Sequence, residues 1–360
     1  MKLHAALGAS MQDAAKMGVA FAKALDIAES LGDIEYQLRA LRGLYFHHTG
    51  SSRYSAALPF AQKFYDLATS GSDPSDRQFG ERMMGVARHF LGDHDGARPH
   101  LERALTGYVA TDHRPDVIRF QTDLRVSAYA FLSRVLWFQG YADQAMRAAE
   151  ASVAEALATG HALSLSHALA IAACPIALWI GNLDVAKRYT GMLLAQSRQH
   201  SVFHWDGFGA RFRAILALKG ANLDTGSQLP HSHDDDYVGP NLNFPFLTGL
   251  TELAEALSDV GRTSEALALL EPVKPSEAGW LTPELLRVKG TLLLLQNTPA
   301  VPEAAEDHLR QALDVARQQE ALSWEPAPPR ALPRLLRDQG HSRGCESTPE
   351  ACVRAVHRRV

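Results

Sequence analysis

The chain has 360 residues, 46% of them hydrophobic and 21% charged, with 36 basic and 40 acidic side chains and a formal net charge of −4. That much apolar material excludes wholesale disorder, and the mild acidity gives no support to a nucleic-acid binder held by a basic surface. Only three cysteines occur, which excludes a disulfide scaffold and points to a reducing, cytoplasmic setting.

In chain order, the first thirty residues contain no apolar block of the length a signal peptide needs, because Lys2, His4, Gln12, Asp13, Lys16, Lys23 and Asp26 interrupt it. From there a pattern recurs: an apolar helix end, a glycine, a short polar turn, and an alanine opening another helix. Gly92 and Ala97, Gly140 and Ala145, Gly181 and Ala186, and Gly261 and Ala266 all share the same five-residue spacing. Degraded copies stand at Gly50 with Ala56, at Gly220 and at Gly340, with a further mark expected near Gln296-Asn297. The glycines at 50, 92, 140, 181, 220 and 261 lie about forty residues apart, a repeat length typical of stacked helical units.

Glycine supplies the left-handed conformation that ends a helix, and alanine lets the next helix approach closely. The flanking segments have helical periodicity. Leu124, Ala128, Phe131, Leu132, Val135 and Leu136 form one apolar stripe, and 142–158 is rich in strong helix formers with no proline. No period-two alternation predicts a strand. Ala168–Ile180 is the most apolar run, but it is too short to span a membrane, and Pro175 with Gly181-Asn182 marks a helix end.

Residues 223–245 carry three prolines, two glycines and a polar cluster, which predicts a long loop. Pro272, Pro275 and Pro283 mark another turn-rich connection, and Pro302 suits a helix start. The expected organisation is therefore an N-terminal superhelix over 1–222, an irregular loop over 223–245, C-terminal hairpins over 246–342 and a divergent tail over 343–360. The fold class expected is an all-α, tetratricopeptide-like superhelix of about seven to eight helical hairpins. Its units exceed the standard length of about 34 residues.

The search for catalytic motifs finds no P-loop, dinucleotide fingerprint, nucleophile elbow or His-Glu-x-x-His helix. His231, His233, Asp234, Asp235 and Asp236 have donor types suited to zinc or nickel, and equally suit a solvated loop tip. His47, His48, His200 and His204 fall at helix ends, where imidazole complements the helix dipole. Cys174 reads as a small core residue, and Cys345 and Cys352 match no metal or redox spacing. Trp137 and Trp179 precede repeat turns, where packing explains them. Arg82, Arg88, Arg125, Arg134, Arg211, Arg213 and Arg287 fall on the first helices of the hairpins, which line the inner, concave face of such an array. Arginine suits carboxylates of a peptide partner; solvation or inter-repeat ion pairing is the alternative.

Leu25–Asp33, Glu35–Leu41, Ala173–Trp179, Pro283–Gly290 and Ala321–Glu325 are specific strings. Over roughly residues 3–342 the chain resembles the C-terminal helical region of bacterial winged-helix transcriptional regulators that carry a predicted ATPase domain. In those proteins a DNA-binding part and an ATPase part precede the array. The resemblance implies a free-standing or truncated sensor region, with no nucleotide- or DNA-binding residues to carry over. After Trp324-Glu325 the likeness weakens, because Pro326, Pro328 and Pro329 break the expected helix and an Arg/Cys-rich sequence follows Ser342. The expectation is a non-enzymatic module without cofactor or metal, binding a protein or peptide in its groove. A small-molecule effector, or an inactive remnant of a larger regulator, is the alternative. No direct contact with nucleic acid or membrane is expected.

Overall fold

The structure is a computed structural model and describes residues 14–106, 123–200, 203–220, 247–296, 302–321 and 323. These form fourteen main helices in antiparallel hairpins, with no strand among the described residues. The helices are α1 (Ala14–Leu31), α2 (Ile34–Gly50), α3 (Tyr54–Ser70), α4 (Pro74–Phe90), α5 (His94–Thr106), α6 (Leu124–Phe138) and α7 (Ala142–Thr159). They continue as α8 (Ala162–Trp179), α9 (Leu183–His200), α10 (Phe203–Gly220), α11 (Leu250–Asp259), α12 (Thr263–Leu270), α13 (Thr282–Leu295) and α14 (Pro302–Gln318). The expected loop at 223–245 and the tail at 343–360 lie outside the described residues.

The turn register follows from local sterics. Gly92, Gly140, Gly181 and Gly261 take φ of 82°, 86°, 79° and 82°. The residue after each donates its N–H to a carbonyl five back, as in Asp93 N to Arg88 O at 3.0 Å and Arg262 N to Leu257 O at 2.9 Å. This is the Schellman-type closure that satisfies the helix's last carbonyls. Ala97, Ala145, Ala186 and Ala266, five residues beyond, are all 0% exposed. The degraded copy at Gly50 is corrected. Ser52, not Gly50, takes the left-handed turn at φ 54°, and Ala57 rather than Ala56 is buried. The five-residue spacing is thereby restored.

The first helices α2, α4, α6, α8, α10, α11 and α13 form the inner layer. In it α4 packs on α6, α6 on α8, α10 on α11 and α11 on α13. Two features interrupt the regular stack. α8 ends at Trp179, just before Gly181-Asn182 as expected, and carries Pro175 inside it behind a π-helical stretch, Ala168–Ala173. A wide turn of this kind absorbs the donor that proline lacks. α8 is the one described helix long and apolar enough to cross a membrane, and it is packed inside the array. The second interruption is the proline-marked connection before α13. There a short turn, Pro275–Ala278, leads into a 3-10 turn, Gly279–Leu281, that inserts against α4.

Candidate functional site

The inner face is built by polar residues set into otherwise apolar helices. On α4, Arg82 and His89 are seven residues apart; on α6, Ser127 and Arg134 are seven apart. Seven residues are about two helical turns, so each pair shares one face. The two helices pack in a register that joins the pairs as rungs. Arg82 Nε donates to Ser127 Oγ at 2.8 Å, and Arg134 Nε donates to His89 Nε2 at 3.1 Å. Arg134 Nη1 then reaches α8 and donates to Ile171 O at 3.3 Å. Ile171 is the carbonyl four residues before Pro175, whose missing N–H leaves it without the usual helical donor.

Arg134 is 0% exposed and its guanidinium stands 4.2 Å from the Trp280 ring centroid and 5.1 Å from that of Trp179. Burial pushes it down to about 9, while the Glu252 carboxylate opposes that shift. Glu252 of α11 in turn accepts from Trp179 Nε1. Because His89 Nε2 accepts, the proton of neutral His89 lies on Nδ1, which faces His94 Nδ1 at 3.4 Å. Burial, with Arg134 and His94 adding repulsion, holds His89 well below its ordinary value, and burial, opposed by Asp93, holds His94 down to about 3.

The inserted turn completes this cage. Trp280 is 0% exposed and stacks on His89, with ring centroids 5.8 Å apart and planes at 24°. Its ring also lies against Phe138 at 5.6 Å. Gly279 has φ 55°, and a Cβ there would sit 2.2 Å from the Phe90 carbonyl oxygen, so only glycine admits the turn. Gln319 Nε2 donates to Gly279 O at 3.0 Å, and Ser323 N donates to Phe138 O at 3.2 Å. The C-terminal hairpin thus closes onto the turns of the second and third hairpins. A cleft of about 780 Å³ remains beside this closure, bordered by Arg53, Asp93, Asp95, Gly279 and Glu320. Glu320 is raised there by its hydrogen bond with Asp95.

All seven arginines singled out in the sequence lie on first helices, but they do not converge. Arg82, Arg134, Arg211 and Arg287 bridge consecutive first-helix layers: Arg211 Nη1 donates to Thr248 O at 2.8 Å, and Arg287 pairs with both Glu255 and Glu284. Arg125 pairs with Glu155 of α7 at 2.8 Å, Arg88 with Asp93 of its own turn at 2.6 Å, and Arg213 is exposed. Most of them fasten repeat to repeat. Sequence reasoning missed His89, Ser127, His167 and Trp280. The available signal was a pair of polar residues seven apart, recurring on the next first helix with a common offset of 45 residues.

Cys174 is buried, accepts from Thr190 Oγ1 at 3.8 Å and is pushed up to about 12 by burial, as befits a small core residue. His47 and His48 occupy the last turn of α2 and His200 that of α9. The His204 side chain, the His231–Asp236 cluster, Trp324, Cys345 and Cys352 lie outside the described residues. Among the described residues, no group of three or more His, Cys, Asp or Glu is placed to hold a metal ion.

Residues 81–103, 126–151 and 248–272 match the tetratricopeptide repeat. Those stretches cover the α4–α5, α6–α7 and α11–α12 hairpins. The fold is an all-α, tetratricopeptide-like superhelix of about seven to eight hairpins. Comparison with curated proteins returns no match. Among solved structures, a Rap protein complexed with competence and sporulation factor is 10% identical, with 91% of this chain and 87% of that one covered and a TM-score of 0.44. A Signal Transduction ATPase with Numerous Domains with a tetratricopeptide repeat sensor, from Pyrococcus horikoshii, is also 10% identical. It is matched over 91% of this chain and 43% of its own, at a TM-score of 0.34. The tetratricopeptide domain of P58(IPK) is 12% identical over 94% and 98%, with a TM-score of 0.24. No ligand or residue role is carried across from any of them.

Proposed function

We propose that this chain is a non-enzymatic interaction and sensor module, and that the inner face of its first hairpins receives a protein or peptide segment. The observation that carries this reading is Phe46 of α2, 42% exposed on that face with its ring centroid 6.0 Å from the Arg82 guanidinium of α4. An exposed aromatic ring of this kind suits a partner segment bearing apolar side chains. We read such a module as the signal-sensing part of an ATPase-type transcriptional regulator, working in the cytoplasm; the resemblance of the sequence to such regulators supports that reading.

The test is cross-linking and recovery of partners from the native source with the full chain. An inner-face variant, Arg42→Glu with Phe46→Ala, is compared with Lys63→Glu on the second helix α3. Partners retained by the α3 variant and lost by the inner-face variant support the assignment; identical recovery by both ends it.

A further inference from the structure

A cavity of about 890 Å³ lies between the second helices α1 and α3, over the last turn of α2. Its volume falls in the range of pockets that hold a small organic molecule, about 300–1,000 Å³. Two kinds of surface line it. Val19, Ala22 and Leu25 of α1, Leu44 of α2 and Phe60 of α3 supply an apolar wall. Val19 is 71% exposed, so part of that wall faces water, and covering it is favourable.

The polar residues belong to the end of α2 and the start of α3. Arg53 borders the cavity, is exposed, and donates from Nη2 to His47 Nε2 at 2.8 Å. Its guanidinium has further N–H groups to offer. Burial, with the Arg53 charge, holds His47 and His48 below their ordinary range, so both rings stay neutral and the cation here is Arg53. Gly18 of α1 makes room for this pair: a Cβ there would come within 2.6 Å of His47 Nε2 and displace the ring that Arg53 holds. His48 stacks on Phe60, with ring centroids 5.2 Å apart and planes at 14°, and so joins the polar end to the apolar wall. The backbone favours negative charge at the same place. The last carbonyls of α2 are taken, His47 O by Ser51 Oγ at 2.9 Å, His48 O by Arg53 N at 2.9 Å and Thr49 O by Ser52 N at 3.1 Å. The first turn of α3 has no side-chain cap, so its partial positive charge adds to that of Arg53. Asp26 of α1 is the one carboxylate bordering the cavity among the described residues.

We propose that this cavity binds a small amphiphilic monoanion, with its head on the Arg53 guanidinium and its apolar body along Val19, Ala22, Leu25, Leu44 and Phe60. A charge-assisted hydrogen bond holds the head, and burial of apolar surface holds the body. Asp26 repels a second acidic group, so the site takes a monoacid and refuses a diacid of the same length. Two kinds of molecule have this chemistry, an aliphatic acid, suited to the α1 wall, and an aryl acid, suited to the Phe60–His48 stack. The site lies between second helices and is independent of the inner-face reading.

The experiment uses the full chain, with calorimetric titration and thermal melts in octanoate, 3-phenylpropanoate, octanol and octanedioate. At least one of the two monoacids is expected to bind one per chain and to raise the melting temperature saturably by a few degrees, as binding to the folded state must. Octanol should not, because it lacks the charge, and octanedioate should bind about tenfold more weakly than octanoate. A response to octanoate alone assigns the site to aliphatic acids; a response to 3-phenylpropanoate alone assigns it to aryl acids. Arg53→Gln keeps a donor without the charge and should weaken binding about tenfold. Its melting temperature without ligand should match that of the wild type, because Arg53 is exposed. Ala22→Trp, at another exposed position, leaves Arg53 untouched and should obstruct the apolar body, with a similar loss. Equal responses to octanoate and octanol, no response to either monoacid, octanedioate bound as tightly as octanoate, or undiminished binding in either variant would overturn the site.

Discussion

Lowering the pH from 7 to 5 should destabilise the fold by an amount set by its buried imidazoles. His89 and His94 are both 0% exposed, and the folded state holds His89 well below its ordinary value and His94 at about 3. Unfolding returns each to about 6.5. Because the folded values are the lower ones, the unfolded chain binds more protons between pH 6.5 and pH 3. Stability is therefore fully present above pH 6.5 and falls as the pH drops through that window. Each such histidine costs about 1.4 kcal/mol per pH unit once below 6.5, so the step from pH 7 to pH 5 costs about 2 kcal/mol per residue. For His89 and His94 together that is about 4 kcal/mol, and His167, held at about 3 by burial and by Arg82 and Arg134, adds up to about 2 more. This is a large share of the roughly 5–15 kcal/mol available to a folded domain. The interval lies above the range where carboxylates titrate, so paired Asp and Glu contribute little. The assay is urea unfolding at half-unit pH steps from 7.5 to 5, with the free energy plotted against pH. A slope corresponding to uptake of two to three protons is expected below pH 6. A flat profile, or one unchanged in a His94→Phe variant, would refute the neutral, buried assignment.

Other perturbations test the closure and the turns. Trp280→Ala should cost about 3–5 kcal/mol in urea unfolding, the range for deleting a fully buried aromatic, and should expose 275–281 to protease before other connections. A loss under about 1 kcal/mol would show that the inserted turn is not anchored by its indole. Gly279→Ala should cost about 3 kcal/mol, because its positive φ and the Phe90 carbonyl leave no place for a methyl group. Ser52→Gly should stabilise by about 1 kcal/mol, relieving a left-handed serine, with the melting temperature rising accordingly. The buried Cys174 thiol should resist a thiol reagent in the native state and react on unfolding; rapid native labelling would contradict its core position.

The repeat architecture was legible because its cause is local. A glycine in the left-handed region and an alanine one turn into the next helix are each required by sterics at a single position, so their five-residue spacing survives in plain sequence at four turns. The same physics explains what was hidden. Ser52 and Glu320 adopt the glycine conformation at φ 54° and 51°, and nothing in their residue type announces it. Ala321 N still donates to Ala316 O at 2.9 Å there, so the turn is the familiar one without its marker. The helix end at Gly181-Asn182 was legible, while the way α8 accommodates Pro175 was not, because a π stretch and the guanidinium of another repeat deal with the missing donor.

The arginines show the harder limit. Helical pattern assigns Arg82 and Arg88 to one helix and Arg125 and Arg134 to another, and so to the inner layer as a class. At about 100° per residue, however, Arg88 lies roughly 240° around the helix from Arg82, and Arg134 roughly 180° from Arg125. One member of each pair therefore enters the layer between first helices, while the other pairs with Asp93 or Glu155 at its edge. What separates Arg82 from Arg134 within the layer is more distant still. Glu252 and Trp280, more than a hundred residues further along, reach Arg134 only because the C-terminal hairpins close back onto α4 and α6. Arg82, one repeat step away, receives neither. The same closure brings the chain's own carboxylate and indole to one buried cation and not to the other, and no periodicity within a single repeat encodes that difference.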